Sequence, residues 1–200
     1  GALIICGFAW QSAKEGQVLE ERDRIAETDS LTGLLNRNGF LHRLDVEANR
    51  AERLGTPLAI VFLDCDHFKS WNDQYGHLAG DRLIVDTAQV MKRTVRNYDS
   101  VARMGGDEFA ILYPGVTVDQ AEAAVHRLHQ AFESLSREYH GISWTIGVAV
   151  FLTPQDAERM LDRADQLMLS AKRTRKGTVL VETFGTKFHP SESSAGFSLV

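Results

Sequence analysis

Cysteine is nearly missing from this chain: Cys6 and Cys65 are the only two in 200 residues. One lies in an apolar segment and the other between two aspartates, so no disulfide framework is expected and a reducing compartment is favoured. An excess of positive charge is missing too. A net charge of −5 provides no overall basic field to hold a nucleic-acid polymer, although a nucleotide-sized substrate needs only a local site. A membrane-spanning run is also absent: the apolar opening GALIICGFAW at 1–10 is too short for a bilayer, which takes about 20 residues. That stub reads either as the last turns of a membrane helix or as an arm packing on its own domain. No internal repeat is visible. What is present, 44% hydrophobic and 24% charged residues, is the composition of one globular domain with short extensions.

Residues 11–28 are charged and helix-prone, with Val18 and Ile25 seven apart, as in a weak coiled-coil seam. They read as a connector helix. A second helix carries Phe40, Leu41, Leu44, Ala48 and Ala51 on one face and stops at Gly55 and Pro57. PLAIVFLDCD at 57–66 reads as a buried strand ending at Asp64. A helix from Gly80 shows Leu83, Ile84, Thr87, Met91 and Val95 on one side. VARMGGDEFAILYP at 101–114 reads as a hairpin covered on both faces. Thr117 and Gln120 fit a capping box for the next helix. A strand at 142–151, a helix starting at Thr153–Pro154, and a last strand at 178–182 complete the pattern. It predicts an α+β fold, a mixed sheet covered by helices. A Ser-rich tail follows, over 185–200.

Two stretches carry chemistry. The first, at 62–81, holds Asp64, Asp66, Asp73 and Asp81 with His67, Lys69, Asn72 and His77. A carboxylate ending a buried strand needs compensation, because an unpaired buried charge is expensive. A divalent cation provides it. If the hairpin lies beside that strand, Asp107 at its tip faces Asp64, and two carboxylates plus a backbone carbonyl make the hard oxygen site that Mg²⁺ uses with phosphates. Gly105 and Gly106 then permit a tight turn and leave room for a base or sugar. An isolated turn of this composition would be solvated acids and nothing more; the aspartates downstream of the strand outweigh that reading. Asp66 reads as a structural acid bonding its own loop, and Trp144 as packing.

These words resemble the GGDEF family, the diguanylate cyclases. The resemblance rests on DSLTGLLNR at 29–37, DCDHFKSWNDQYGHLAGD at 64–81, ARMGGDEFAIL at 102–112, SWTIGVA at 143–149 and ADQLMLSAK at 164–172, in the family's order and spacing. It implies one catalytic domain over 29–184, with a central, mostly antiparallel sheet flanked by helices, like the palm of nucleotidyl cyclases and polymerases. It implies two subunits, each holding one GTP, that make cyclic di-GMP and two pyrophosphates.

Carried over by position, Asp64, the Cys65 carbonyl, Asp107 and Glu108 become ligands for two Mg²⁺ or Mn²⁺ ions. Asp107, Glu108 and Lys69 become the catalytic group. Asn72 and Asp81 become the guanine partners, since a carboxylate accepts from guanine N1–H where adenine has no donor. His67, Phe68, Lys69, Gly105, Gly106, Lys172 and Lys176 become triphosphate and sugar contacts. Arg96 and Asp99, in RNYD, fall at the family's inhibitory-site spacing, where product binds; the plainer reading is a helix-end charge and a turn cap. The family usually reads GRN where this chain has Arg175–Lys176–Gly177, and a lysine there offers a point charge without a fork. The resemblance also implies an upstream sensory or membrane domain and a cytoplasmic site, free or tethered to the inner membrane. Two alternatives compete: a non-catalytic cyclic di-GMP receptor using Arg96 and Asp99, and a cyclase that accepts adenine, which Asp81 disfavours.

Overall fold

A computed structural model describes residues 27–185. The stub at 1–10, nearly all of the connector at 11–28 and the tail beyond 185 lie outside the described residues. Among the described residues, no helix is long and apolar enough to cross a membrane.

The fold is organised around β1 (Leu58–Asp66), all nine of whose residues are buried. Its apolar run has the unbroken character of a strand covered on both faces. The sheet runs β2 (Ser100–Gly105), β3 (Glu108–Pro114), β1, β4 (Ser143–Phe151), β5 (Val179–Phe184). Every neighbouring pair is antiparallel except β4 and β5, which are parallel. The expected α+β architecture, a mostly antiparallel sheet flanked by helices, is the one observed.

Strand parity sorts the core. Ala59, Val61, Leu63 and Cys65 of β1 pack with α3 (His77–Thr94) and α4 (Val118–Glu138) on one face. Leu58, Ile60 and Phe62 pack with α1 (Arg37–Leu54) and α5 (Ala157–Thr174) on the other. Each fully buried Leu, Ile or Phe contributes about 1.5–3 kcal/mol, so β1 is anchored from both sides. Asp64 has the parity of Phe62 and therefore faces the α1–α5 layer.

Helix ends follow local chemistry. Asn36 caps α1 by accepting from the Gly39 amide at 3.0 Å, and Gly55 ends it at φ 62°. The Thr117–Gln120 capping box forms as expected. Three boundaries differ from the sequence reading. Helix α5 starts at Ala157, not at Thr153–Pro154, because the Asp156 carboxylate caps the Arg159 amide at 3.1 Å. Helix α3 starts at His77, so Gly80 is buried inside it, and ends before Val95, which is extended. Residues Phe68–Tyr75 form α2, which the sequence reading left without an element; no residue on it is fully buried, although Phe68 and Trp71 pack partly buried against the core.

One close approach positions the site. A Cβ on Gly147 of β4 would lie 2.3 Å from the Met168 amide nitrogen and 2.5 Å from the Ala164 carbonyl oxygen. The backbone of α5 thus rests directly on β4, and this depth fixes where the last turn of α5 delivers Lys172. Gly147→Ala is expected to push α5 outward and lower stability by about 1–3 kcal/mol, read as an earlier urea midpoint; an unchanged midpoint would contradict the close packing.

Candidate active site

The site forms where β1 emerges from the sheet. Against β3, the ladder stops at Asp64 opposite Glu108; against β4 it continues to Asp66 opposite Ser143. The strand therefore ends at Asp64 on one side and at Asp66 on the other, later than the sequence reading put it. The turn between β2 and β3 uses Gly105 at φ 150° and Gly106 at φ 53°, conformations that disfavour any side chain. The Cys65 amide donates to the Asp107 carbonyl at 3.2 Å, which holds the turn against the strand end. From α5, the Lys172 Nζ reaches Asp64 Oδ1 at 2.5 Å. Asp64, Asp107, Glu108 and Lys172 come from three separate words of the sequence into one cluster.

This cluster is electrostatically strained. Burial pushes the Asp64 carboxyl up to about 6; Lys172 opposes the rise, and the Asp107 and Glu108 charges add to it. Asp107 is raised by burial, against the pull of Lys172 and Arg103. Glu108 is raised by burial and then by Asp165 and Asp107. Asp165, on α5, is itself raised by burial and by Asp162, while Arg37 and Lys172 draw it down. One ammonium does not neutralise so many acids. The donors are hard oxygens: carboxylates and the Cys65 carbonyl. Hard oxygens are the donors Mg²⁺ or Mn²⁺ takes, although among the described residues no three His, Cys, Asp or Glu side chains stand close enough together to hold an ion as they are. The Cys65 thiol is buried, and the same acids raise its pKa further, so its side chain is not a ligand.

Asp66 is structural, but its partners are not its own loop. It accepts from Ser143 Oγ at 2.8 Å, Thr145 Oγ1 at 2.8 Å and the Gly177 amide at 2.9 Å. It thereby ties the loop after α5 to the strand ends. In Arg175–Lys176–Gly177 it is the glycine, at φ 69°, that carries the tie. Lys176 stands beside it, exposed.

The other predicted contacts lie on α2 and α3. His67 is the one non-glycine residue among those described with positive φ, at 66°, and it turns the chain from β1 directly into α2. Such a backbone costs about 1–2 kcal/mol. It sets the first-turn amides of α2, with Phe68 and the exposed Lys69, just past the strand end. Asn72 Oδ1 is buried without a hydrogen-bond partner. A Cβ on Gly80 would lie 1.8 Å from it. Asn72 therefore rests on the α3 backbone next to Asp81, which is exposed. The structure thus sets Asn72 against Gly80, one residue before Asp81. Lys69 and Lys176 lie on the surface, exposed.

Sequence reasoning missed a clasp. Arg103 donates to the Gly106 carbonyl through Nε at 2.9 Å and Nη2 at 2.8 Å, and its Nη1 reaches Asp29 Oδ2 at 3.2 Å. Asp29 also accepts from the Thr32 amide at 2.9 Å and Thr32 Oγ1 at 2.7 Å. Burial would raise Asp29, yet the bonds from Thr32 and the Arg103 guanidinium hold it below the usual carboxylate range. The signal was available: an Asp three residues before a Thr can accept from its amide and hydroxyl as a cap does, and Arg103 stands just before the glycines.

Arg96 and Asp99 form a tight turn. The Arg96 amide donates to Asp99 Oδ2 at 2.7 Å, and Arg96 Nη1 donates to the Tyr98 hydroxyl at 2.7 Å. Asp99 Oδ1 is buried without a partner. Burial raises Asp99, and Arg96 and then Arg127, which the sequence reading did not single out, oppose it. Beside the turn is a cleft of about 370 Å³.

Comparison with known proteins agrees with this geometry. A sequence profile described as "Diguanylate cyclase, GGDEF domain" matches residues 26–178. The chain is 36% identical over 159 residues to diguanylate cyclase DgcP of Pseudomonas aeruginosa, covering 78% of this chain and 24% of DgcP. It is 33% identical over 167 residues to the probable diguanylate cyclase DgcT of Escherichia coli, covering 78% of this chain and 36% of that protein. The chain thus spans about a quarter to a third of these relatives' length. Among solved structures, the coiled coil and GGDEF domain of DgcB from Caulobacter crescentus, in complex with c-di-GMP, aligns with TM-score 0.78 at 27% identity, over 89% of this chain and 97% of that one. The GGDEF domain of PA1120 from Pseudomonas aeruginosa aligns with TM-score 0.71 at 36% identity, over 77% and 93%.

The raised Asp64 pKa has a signed consequence. Its folded value near 6 exceeds the ordinary 3.8, so the folded state holds the proton more tightly. The stability this gives is fully present below about pH 4 and is lost as pH rises through about 6. Asp107, Glu108 and Asp165 act in the same direction. Without metal, Asp64→Asn is expected to shrink the fall in urea midpoint between about pH 4.5 and about pH 7.5; an unchanged fall would show that Asp64 is not strained.

Proposed function

This chain belongs to the diguanylate cyclase GGDEF family, and from that premise we propose that its site condenses two GTP into cyclic di-GMP and two pyrophosphates, with one GTP on each of two copies of the chain. The observation that carries the reading is the acid cluster at the end of β1, where Asp64 opposes Glu108 and meets Lys172 at 2.5 Å.

Asp64, Asp107, Glu108 and the Cys65 carbonyl would hold two Mg²⁺ or Mn²⁺ ions, which supply charge neutralisation on the triphosphate and acidify the attacking hydroxyl. Lys172, already at the cluster, offers its ammonium to the triphosphate, and the exposed Lys176 offers a second at the distal phosphate. The amides at the start of α2, including those of Phe68 and Lys69, point at phosphate oxygens in the manner of a helix N-terminus. His67 sets that helix in place by its turned backbone. Burial raises the proton affinity of Glu108, which suits it to accept the 3′-hydroxyl proton. Gly105 and Gly106 leave the sugar room. Asn72 and Asp81 read the guanine edge; the unpartnered Asn72 Oδ1 is an acceptor waiting for a donor.

A single site holds one 3′-hydroxyl and one α-phosphate of the same nucleotide. Ring closure therefore needs a second copy facing the first, and catalysis becomes largely a matter of positioning. The connector at 11–28 would set that pairing. The turn at Arg96 and Asp99 would bind product: Asp99 Oδ1 is a buried acceptor without a partner, with the Arg96 and Arg127 cations near it. The relatives' greater length supports a sensory or membrane domain upstream, with the GTP pool placing this site in the cytoplasm.

Incubation of the chain with GTP and Mg²⁺, followed by nucleotide chromatography, is expected to give cyclic di-GMP, and Asp107→Ala to lower the rate at least about 100-fold. No product at any metal concentration would end the reading. Gly80→Ala tests the guanine pair separately. The added methyl displaces Asn72 while improving helix propensity, so KM for GTP is expected to rise about tenfold with kcat nearly unchanged. An unaltered KM would remove Asn72 from the base site.

A further inference from the structure

Helix α2 carries Asn72, yet few contacts dock it. It is eight residues long, none of them is fully buried, and its N-cap side chain bonds nothing in its first turn. A helix of that length is not stable by itself in water. Its place is set by Phe68 and Trp71, the side chains that pack it on the core. The Trp71 ring meets Tyr139 edge-on, with centroids 5.3 Å apart, and lies 4.2 Å from the Tyr75 ring. Tyr139, at the end of α4, is only 6% exposed. Its amide donates to the Leu135 carbonyl at 3.0 Å, and its carbonyl accepts from the Ile142 amide at 3.1 Å. Its hydroxyl donates to Asp86 Oδ2. Asp86 stands on α3, a little over one turn after Asp81. The contacts close a ring: Asp86 of α3 to Tyr139, Tyr139 to Trp71 of α2, and Asn72 back onto Gly80 of α3. A cleft of about 600 Å³ beside Trp71, Ala79 and Tyr139 gives α2 room to shift when that ring is opened.

We propose that Tyr139 and Asp86 are positioning residues for base specificity: the bond between them holds Trp71, and through Trp71 it sets the spacing of Asn72 from Asp81. The inference rests on the reading of Asn72 and Asp81 as the guanine partners. A hydroxyl bonded to a carboxylate is about twice as strong as a bond between neutral groups, so this link is the stiff member of the ring. Without it the Tyr139 ring tilts, Trp71 follows it toward the cleft, and Asn72 Oδ1 drifts from the exocyclic amino group of guanine. Asp81 still accepts from N1–H, which hypoxanthine also offers. Discrimination between the two bases therefore falls, because it depends on an acceptor being left unpaired by the wrong one. The acid cluster, which Asn72 does not touch, keeps its geometry.

The test uses the whole chain and calorimetry with two probes, a non-hydrolysable GTP analogue and its inosine counterpart. Tyr139→Phe keeps the ring and removes only the hydroxyl; Asp86→Ala removes the acceptor; Asp86→Asn keeps one. Tyr139→Phe and Asp86→Ala are each expected to lower the preference for the guanine probe about tenfold, and the double variant to be no worse than either alone. Asp86→Asn is expected to stay within about twofold of the unaltered chain. A purely structural role would lower the urea midpoint but leave the ratio of the two affinities where it was. That outcome in Tyr139→Phe, with Asn72→Ala losing the preference, overturns this inference alone. If the unaltered chain does not prefer the guanine probe, or Asn72→Ala keeps the preference in full, the guanine-pair reading fails and this inference falls with it.

Discussion

The contact between Lys172 and Asp64, 2.5 Å long at the end of a fully buried strand, holds together a group of acids that would otherwise repel one another. Asp107 and Glu108 share that space, and burial raises the proton affinity of all three. A surface pair of this kind would contribute little. Here Asp64 is buried and Lys172, Asp107 and Glu108 are half-buried, so screening by water is weaker than at the open surface. The arrangement is unfavourable in isolation and would be relieved by the cation-bound triphosphate proposed above, the trade expected of a site that stores strain for function.

The fold serves that cluster from several directions. Strand parity turns Asp64 and Glu108 toward the α1–α5 layer, where Lys172 can reach them. The bare Gly147 lets α5 sit low enough to do so. Asp66, buried one step further along, binds β4 and the Gly177 amide, so the acid nearest the cluster is spent on architecture rather than chemistry. The Arg103 clasp ties the glycine turn to Asp29, the first polar residue after the connector.

Much of this was legible in the sequence, because the signals were strong and local. An unbroken apolar run ending in acids announced β1, two glycines announced the hairpin, and Thr117 with Gln120 announced α4. Helix α2 escaped because it is only eight residues long and its apolar side chains, Phe68 and Trp71, are only partly buried. The start of α5 was misplaced because Asp156, an effective cap, outcompeted the Thr–Pro pair upstream. Asp66 was recognised as structural, but its partners are 77 to 111 residues away, and no local pattern encodes them. Lys172 was assigned by family position; that it rests on Asp64 in the free protein is a fact of packing between α5 and β1. The Arg103–Asp29 link, 74 residues apart in sequence, is likewise tertiary.

The central claim is that Asp64 is held in a raised, unrelieved state until a divalent ion arrives. Carbon-13 resonance of the Asp64 carboxyl, followed through a pH titration with and without Mg²⁺ and a non-hydrolysable GTP analogue, measures this directly. The account predicts a midpoint near the value of about 6 in the free chain, and a fall to below the ordinary carboxylate range once metal and nucleotide are bound. A midpoint at the ordinary value of 3.8 in the free chain, unmoved by either ligand, would contradict it.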